Sequence, residues 1–292
     1  MSADLVAIEG GWFRMGSASF YPEESPVVER EVAGFRIGRT PVTNAQFAEF
    51  VDASGYVTTA ERTLDPADFP DASGLDTSPG SLVFTPPAGP VDLRDWRQWW
   101  RWVPGACWRS PFGPGSDVEG KGNHPVVQVS ADDADAYCAW SNTRLPTEEE
   151  WEFAARGGLD GATFTWGEEP QHVGSLKANT WQGNFPWRNT GALGWRGTSP
   201  VGTFPANGFG LVDMTGNVWE WTSTAWTDAH RASTCECSPQ VSVDATARSR
   251  VAKGGSHLCA PEYCLRYRPA ARTRQSRDSS TTHMGFRVAC DA

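Results

Sequence analysis

Apolar positions along this chain come in short bursts whose period shifts between the two of a strand and the 3.6 of a helix. Residues 5–16, Leu5-Val-Ala-Ile-Glu-Gly-Gly-Trp-Phe-Arg-Met-Gly16, read as two short strands around a Gly-Gly turn. A helix follows: Thr43 is its N-cap, Gln46 completes a capping box, Phe47, Phe50 and Val51 form its apolar face, and Gly55 ends it. Pro125-Val-Val-Gln-Val129 reads as a strand, and Ser130 caps a helix carrying Ala134, Tyr137 and Cys138. Thr147 and Glu150 box the start of another helix, with acids at its positive end and Gly157 as its stop. From there to residue 292 the pattern is turns and short strands. Between 61 and 123 no period holds. A patternless stretch of that length is functional or an insertion. It contains Trp96-Arg-Gln-Trp99-Trp100-Arg-Trp102, for which self-packing of indoles and guanidinium groups is the expected state and a binding wall the alternative. With no internal repeat and no linker, one domain over residues 1–292 is expected.

Composition sharpens this picture. Thirty Gly, 21 Pro and 15 Trp predict a loop-rich fold pinned by aromatic clusters, with modest helix and strand content. The net charge of −10 argues against a nucleic-acid partner. It suits a neutral or basic peptide, although acidity also serves solubility alone. No run approaches the roughly 18 apolar residues of a membrane span. The N-terminus lacks a basic start and an apolar h-region, so the cytoplasm is the expected compartment. A monomer is expected. Seven cysteines in a reducing compartment should be mostly free thiols, and no Cys-x2-Cys pair suggests zinc.

Several motifs fail. Gly115 to Lys121 approaches a phosphate-binding loop, but Gly122 replaces the magnesium-binding hydroxyl and His124-Pro125 opposes the required helix. The histidines at 124, 172, 230, 257 and 283 lack the i, i+4 spacing of a helical zinc site. No Gly-x-Ser-x-Gly elbow is present.

What remains is residues 253–272, with Cys259 and Cys264 five apart. On a helix that spacing separates them by about 140°, and on a strand it puts them on opposite faces. Pro261 opposes both continuations, so a loop or tight bend must join them if they meet. Converged thiols form a disulfide, stay as separate thiols or bind a soft metal such as Cu(I). Spacing leaves all three open. Arg266, Arg268 and Arg272 nearby favour thiolate.

The frame Gly254-Gly-Ser256-His-Leu-Cys259 with Tyr263-Cys264-Leu-Arg266-Tyr-Arg268 resembles the signature of the formylglycine-generating enzymes, or sulfatase-modifying factors. Gly11–Gly16, Pro41–Asn44, His124–Val127, Arg144–Glu148, Asn207–Leu211, Gly216–Trp221 and Gly285–Arg287 extend the likeness over nearly the whole chain, which is identified as a bacterial, actinomycete-like member. The resemblance implies an α+β, irregular, loop-rich fold related to C-type lectins. It implies oxidation of the cysteine in a Cys-x-Pro-x-Arg stretch of an unfolded sulfatase to Cα-formylglycine, consuming molecular oxygen and a thiol reductant. It implies Cu(I) held by Cys259 and Cys264, Ser256 and Tyr263 orienting oxygen or polar intermediates, and Arg266 setting local charge. Structural Ca2+ is implied at Asp213, Met214, Gly216 and Val218. A further calcium loop is implied at Asn179, Thr180 and Trp195, where Leu193 replaces a carboxylate ligand. Cys138 matches a family disulfide position, with Cys290 two places beyond its expected partner. Cys107, Cys235 and Cys237 are read as free thiols. Two other readings remain on the same fold: a non-haem iron sulfoxide synthase-like enzyme, whose additional three-His domain is lacking here, and a non-catalytic lectin-like binding module, which would not need the cysteine pair.

Overall fold

The computed structural model describes residues 4–63, 77–172, 174–230 and 248–292. Among the described residues, thirteen short strands and three α-helices alternate with long irregular stretches, so the loop-rich α+β reading holds. Strand β1 (Leu5–Ile8) and β2 (Gly11–Met15) flank the Gly-Gly turn, followed by β3 (Val28–Val32) and β4 (Phe35–Gly38). Helix α1 (Asn44–Ser54), β5 (Gly80–Phe84), β6 (Trp100–Pro104), α2 (Ala131–Trp140) and α3 (Glu148–Arg156) come next. Then come β7 (Gly183–Asn184), β8 (Arg188–Asn189), β9 (Trp219–Ala225), β10 (Ser249–Lys253), β11 (Arg272–Ser276), β12 (Met284–Gly285) and β13 (Ala289–Asp291).

The strands form a sheet β1-β4-β13, a sheet β11-β10-β9-β12 and three two-stranded ribbons, β2-β3, β5-β6 and β7-β8. β1 and β2 do not pair with each other: each finds its own partner in β4 or β3. Gly10, at φ 76, makes this divergence possible, because a Cβ there would lie 2.3 Å from the Val32 carbonyl oxygen.

All three helices start where the side chains dictate. Thr43, Ser130 and Thr147 each accept a backbone N–H three residues on, and Gln46, Asp133 and Glu150 reciprocate. Left-handed Gly55 and Gly157 terminate α1 and α3. One core joins α1 and α2 to the four-stranded sheet through Phe47, Phe50, Tyr137, Trp221 and Phe286, and it includes Cys259. A second packs Trp151, Ala154 and Ala155 of α3 on Phe13, Phe35 and Ile37.

Two sequence expectations need correction. Residues 125–129 are not a strand: Pro125 makes only an isolated bridge to Thr43. Gln128 sits at φ 61 because its buried side chain donates to the Pro111 carbonyl at 2.7 Å and accepts from Ser81 at 2.5 Å. Those tertiary bonds outweigh the β-propensity of three valines. The Trp/Arg block does not pack on itself either. Trp99 and Trp100 lie edge-on to Phe185 and Phe84, at ring separations of 5.5 and 5.8 Å. Arg97 pairs with Asp95, and Arg101 bonds the Arg97 carbonyl. Ready aromatic partners across the fold and an adjacent acid outcompete indole–guanidinium stacking. The ribbon β5-β6 supplies regular structure within the patternless segment. Among the described residues, no helix is long and apolar enough to cross a membrane.

Candidate active site

Strand β10 ends at Lys253, and Gly254 and Gly255 turn the chain at φ 94 and 68. A Cβ on Gly254 would lie 2.8 Å from the Met214 carbonyl oxygen, so this close approach needs glycine. The Cys259 N–H then donates to the Ser256 carbonyl at 2.9 Å. The N–H groups of Tyr263 and Cys264 both donate to the Ala260 carbonyl, at 3.0 and 2.6 Å. This single tight turn, with Pro261 at its head, brings the two sulfurs to 3.1 Å. Both are free thiols. The bend required by their spacing is thus present, and the separation exceeds the roughly 2.05 Å of a disulfide bond.

The pair is electrostatically asymmetric. Burial pushes the Cys259 thiol well up, and its neighbour's sulfur adds to that. Cys264 is lowered, chiefly by the hydrogen bond from Cys259, against burial and with help from Arg266. The Cys264 thiol is therefore the more acidic of the two, and Cys259 the one that holds its proton more tightly. Of the three arginines expected to favour thiolate, Arg266 and Arg268 act on Cys264. Arg272 instead turns to Glu148, 2.8 Å away. Arg266 is held by Glu23 at 2.6 Å and lies 3.9 Å over the Tyr21 ring. Arg268 makes a two-pronged, buried pair with Glu24.

The sulfurs open on a cavity of about 310 Å³ that also touches Ser256, Tyr263 and Arg266, so all five expected catalytic positions converge. Ser256 donates its backbone N–H to the Cys259 sulfur at 3.4 Å, and its hydroxyl oxygen accepts from Leu258. Tyr263 stacks on Phe185 at 4.5 Å and meets Trp99 edge-on. The reading of the sequence missed Tyr21, whose hydroxyl accepts the Leu265 N–H from 244 residues away, and His283. No local pattern marks either residue. Trp99 and Trp100, from the block weighed as a binding wall, do line the cavity.

The expected calcium loops differ in quality. Asp213, at φ 53, accepts the Gly202 N–H on one carboxylate oxygen, while its buried Oδ1 has no partner. Burial raises its pKa to about 6. An unpaired buried carboxylate oxygen in a turn with Met214, Gly216 and Val218 is a donor set suited to a hard cation. This turn abuts the cysteine segment, since the Gly216 N–H donates to the Gly254 carbonyl. In the other loop Asn179 also has an orphaned buried Oδ1. However, the Thr180 hydroxyl already accepts from Gln171, Leu193 is 60% exposed, and the Trp195 ring packs against His124. Among the described residues no group of three or more His, Cys, Asp or Glu side chains could hold a metal ion, so either cation would depend on backbone oxygens. Cys138, Cys290 and Cys107 are free thiols, so the Cys138–Cys290 bridge is not formed. Cys235 and Cys237 lie outside the described residues.

Residues 1–292 match the sulfatase-modifying factor enzyme 1-like domain family. The formylglycine-generating enzyme of Mycobacterium tuberculosis is 61% identical over 297 residues, covering 100% of this chain and 99% of that protein. Its counterpart from another actinomycete, Thermomonospora curvata, is 46% identical over 297 residues, covering 98% and 93%. PvdO from Pseudomonas aeruginosa shares the fold, with a TM-score of 0.66 at 24% identity over 99% of this chain and 94% of its own.

Proposed function

The chain belongs to the sulfatase-modifying factor family, and from that premise we propose that it generates formylglycine in sulfatases. Its substrate is the cysteine of a Cys-x-Pro-x-Arg stretch in the unfolded polypeptide, and it uses Cu(I), molecular oxygen and a thiol reductant. The observation that carries this reading is the pair of free sulfurs 3.1 Å apart in the wall of a cavity, with the Cys264 thiol made more acidic by its neighbours. The overall change balances as substrate thiol plus oxygen, two electrons and two protons giving aldehyde, hydrogen sulfide and water. The substrate supplies two of the four electrons that oxygen takes up, and the reductant supplies the other two.

Two sulfurs with no carboxylate between them fit a soft monovalent ion, and the residues that would hold it are Cys259 and Cys264. Bound there, Cu(I) would supply thiolate affinity and one-electron reactivity toward oxygen. The remaining work belongs to the protein. Cys264 is the thiol that gives up its proton more readily, and Cys259 the less acidic one. Arg266, fixed by Glu23, keeps positive charge beside the sulfurs. Tyr263, Phe185 and Trp99 form an aromatic wall beside the sulfurs. Ser256 offers a hydroxyl at the cavity surface. The same proposal places structural calcium at the Asp213 turn, with the Asn179, Thr180 and Trp195 loop the weaker site because Leu193 offers no oxygen.

The test is incubation with Cu(I), oxygen, a thiol reductant and a Cys-x-Pro-x-Arg peptide, read by mass spectrometry. Aldehyde product is expected from the native protein, with loss of conversion in Cys259→Ala and Cys264→Ala. No conversion by the copper-loaded native protein overturns the function; undiminished conversion by either variant overturns the site.

A further inference from the structure

The two cysteines are held to unequal degrees. Cys259 belongs to the main core, and its backbone is fixed on both sides: its N–H donates to the Ser256 carbonyl at 2.9 Å, and its carbonyl accepts the Trp181 N–H at 3.0 Å. Residues 261–263 are exposed and 264–266 half-buried, so packing does less for Cys264. Its own N–H reaches back to Ala260, which shapes the turn without tying it to the rest of the fold. Ahead of it, Glu262 and Tyr263 lean on Phe185 through their side chains. Behind it, the backbone itself is tied, at Leu265. The Leu265 N–H donates to the Tyr21 hydroxyl at 3.1 Å, and the Leu265 carbonyl accepts from Arg268 Nε at 2.7 Å. Arg268 is paired with Glu24, so both bonds lead to residues 21–24. Tyr21 is pinned in turn: its carbonyl accepts the Glu24 N–H at 3.0 Å, and the Arg266 guanidinium covers its ring. The peptide group joining Cys264 to Leu265 is planar, so a bond to the Leu265 N–H also orients the Cα of Cys264 and the direction of its side chain.

We propose that Tyr21 is a positioning residue of this site: by holding the Leu265 N–H, its hydroxyl keeps the Cys264 sulfur set against that of Cys259 before any metal or substrate arrives. The inference rests on the reading of the pair as a Cu(I) site and adds to it a residue from the other end of the chain. Two sulfurs already in place lose little freedom when one ion or one bond joins them, whereas a loosened Cys264 must be ordered at each binding event.

The test uses two full-length variants. Tyr21→Phe keeps the ring under Arg266 and removes only the hydroxyl. Tyr56→Phe removes a comparable bond outside the cavity, from the Tyr56 hydroxyl to Asp133 at 3.1 Å. Two readouts need no turnover. One is the affinity for Cu(I) alone, measured without oxygen by competition with a chromogenic chelator. The other is the exchange equilibrium of the dithiol with oxidised dithiothreitol, which gives the Cys259–Cys264 disulfide and reduced dithiothreitol and is read by mass spectrometry on the peptide carrying both cysteines. Tyr21→Phe should weaken Cu(I) binding and disfavour the protein disulfide by roughly fivefold each, the scale of one neutral hydrogen bond. Tyr56→Phe should leave both within twofold of native. Either readout within twofold of native in Tyr21→Phe overturns the inference, as does an equal loss in Tyr56→Phe, which would mark a general loosening of the fold. If the native protein does not bind Cu(I), the copper reading falls, and the dithiothreitol equilibrium alone decides the role of Tyr21.

Discussion

Asp213 is strained twice, by a left-handed backbone and by a buried carboxylate oxygen with no partner. Both features make sense if a cation completes the turn. Its pKa of about 6, against 3.8 for the free group, has a definite sign. The raised value means that the folded state holds the proton more tightly than the unfolded chain does. In cation-free protein, stability from this group is greatest below pH 4 and is lost as pH rises through 6. The cost at pH 7 is about 3 kcal/mol, because each tenfold gain in proton affinity corresponds to about 1.4 kcal/mol. Added calcium should therefore raise the melting temperature at pH 7 and have little effect near pH 4, where the carboxyl is protonated. Asp213→Asn should be more stable than the native protein without calcium at pH 7 and insensitive to calcium. Thermal melts across pH, with and without calcium, decide it; an equal calcium response in Asp213→Asn would remove the carboxylate from the site. At this scale the sequence was most informative where a residue's chemistry is unusual, as at Cys259 and Cys264. It was silent on Tyr21, whose role comes from a neighbour far away in the chain.

The helices were the most legible elements. Their starts are set by bonds spanning three residues, and local bonds leave local signatures. Thr147 shows this: its hydroxyl oxygen accepts the Glu150 N–H at 3.1 Å, and Glu150 returns the bond to the Thr147 N–H at 2.8 Å. Removing the hydroxyl should cost about 1 kcal/mol, the usual value of an N-cap. Thr147→Ala should lower the urea midpoint accordingly at unchanged slope, and Thr147→Ser should restore it. A midpoint unmoved in the alanine variant would mean that the tertiary contacts of α3 alone set its start. Strands were less legible, because their partners are distant. The valines at 126, 127 and 129 carry strand propensity, yet Ser81 and Pro111 claim the side chain of Gln128 and bend the backbone there. The β5-β6 ribbon was hidden for the converse reason: its register, Gly80 against Pro104 through Phe84 against Trp100, shows only once both halves are placed.

Across the whole molecule, buried charge ties the elements together, and no reading of the sequence foresaw it. The three glutamates at the start of α3 read as helix-end acids, but the first of them, Glu148, is buried, and so is Glu152 one turn on. Lys253, also fully buried at the end of β10, lies 2.9 Å from Glu152 and 3.6 Å from Glu148. Arg156 pairs with Glu152, and Arg272 of β11 pairs with Glu148. The Gly16 N–H, just past β2, donates to Glu152 at 2.8 Å. One network thus clamps α3, β2, β10 and β11 directly beneath the turn that carries the cysteines. Burial alone would raise the Glu148 pKa, but His230, Lys253 and Arg272 together bring it to about 2. That depressed value contributes stability above pH 4.5, which is lost as pH falls toward 2. Removing one member leaves its partners as uncompensated buried charge, which costs about 3–5 kcal/mol. Lys253→Met keeps the volume and should destabilise the protein by that amount. Asp160→Ala, which breaks the exposed pair with Arg14, should cost no more than about 1 kcal/mol. The two values come from denaturant unfolding at pH 7. A Lys253→Met penalty no larger than that of Asp160→Ala would mean that the glutamates are satisfied by Arg156 and Arg272 alone, and that the platform under the cysteine turn rests on apolar packing instead.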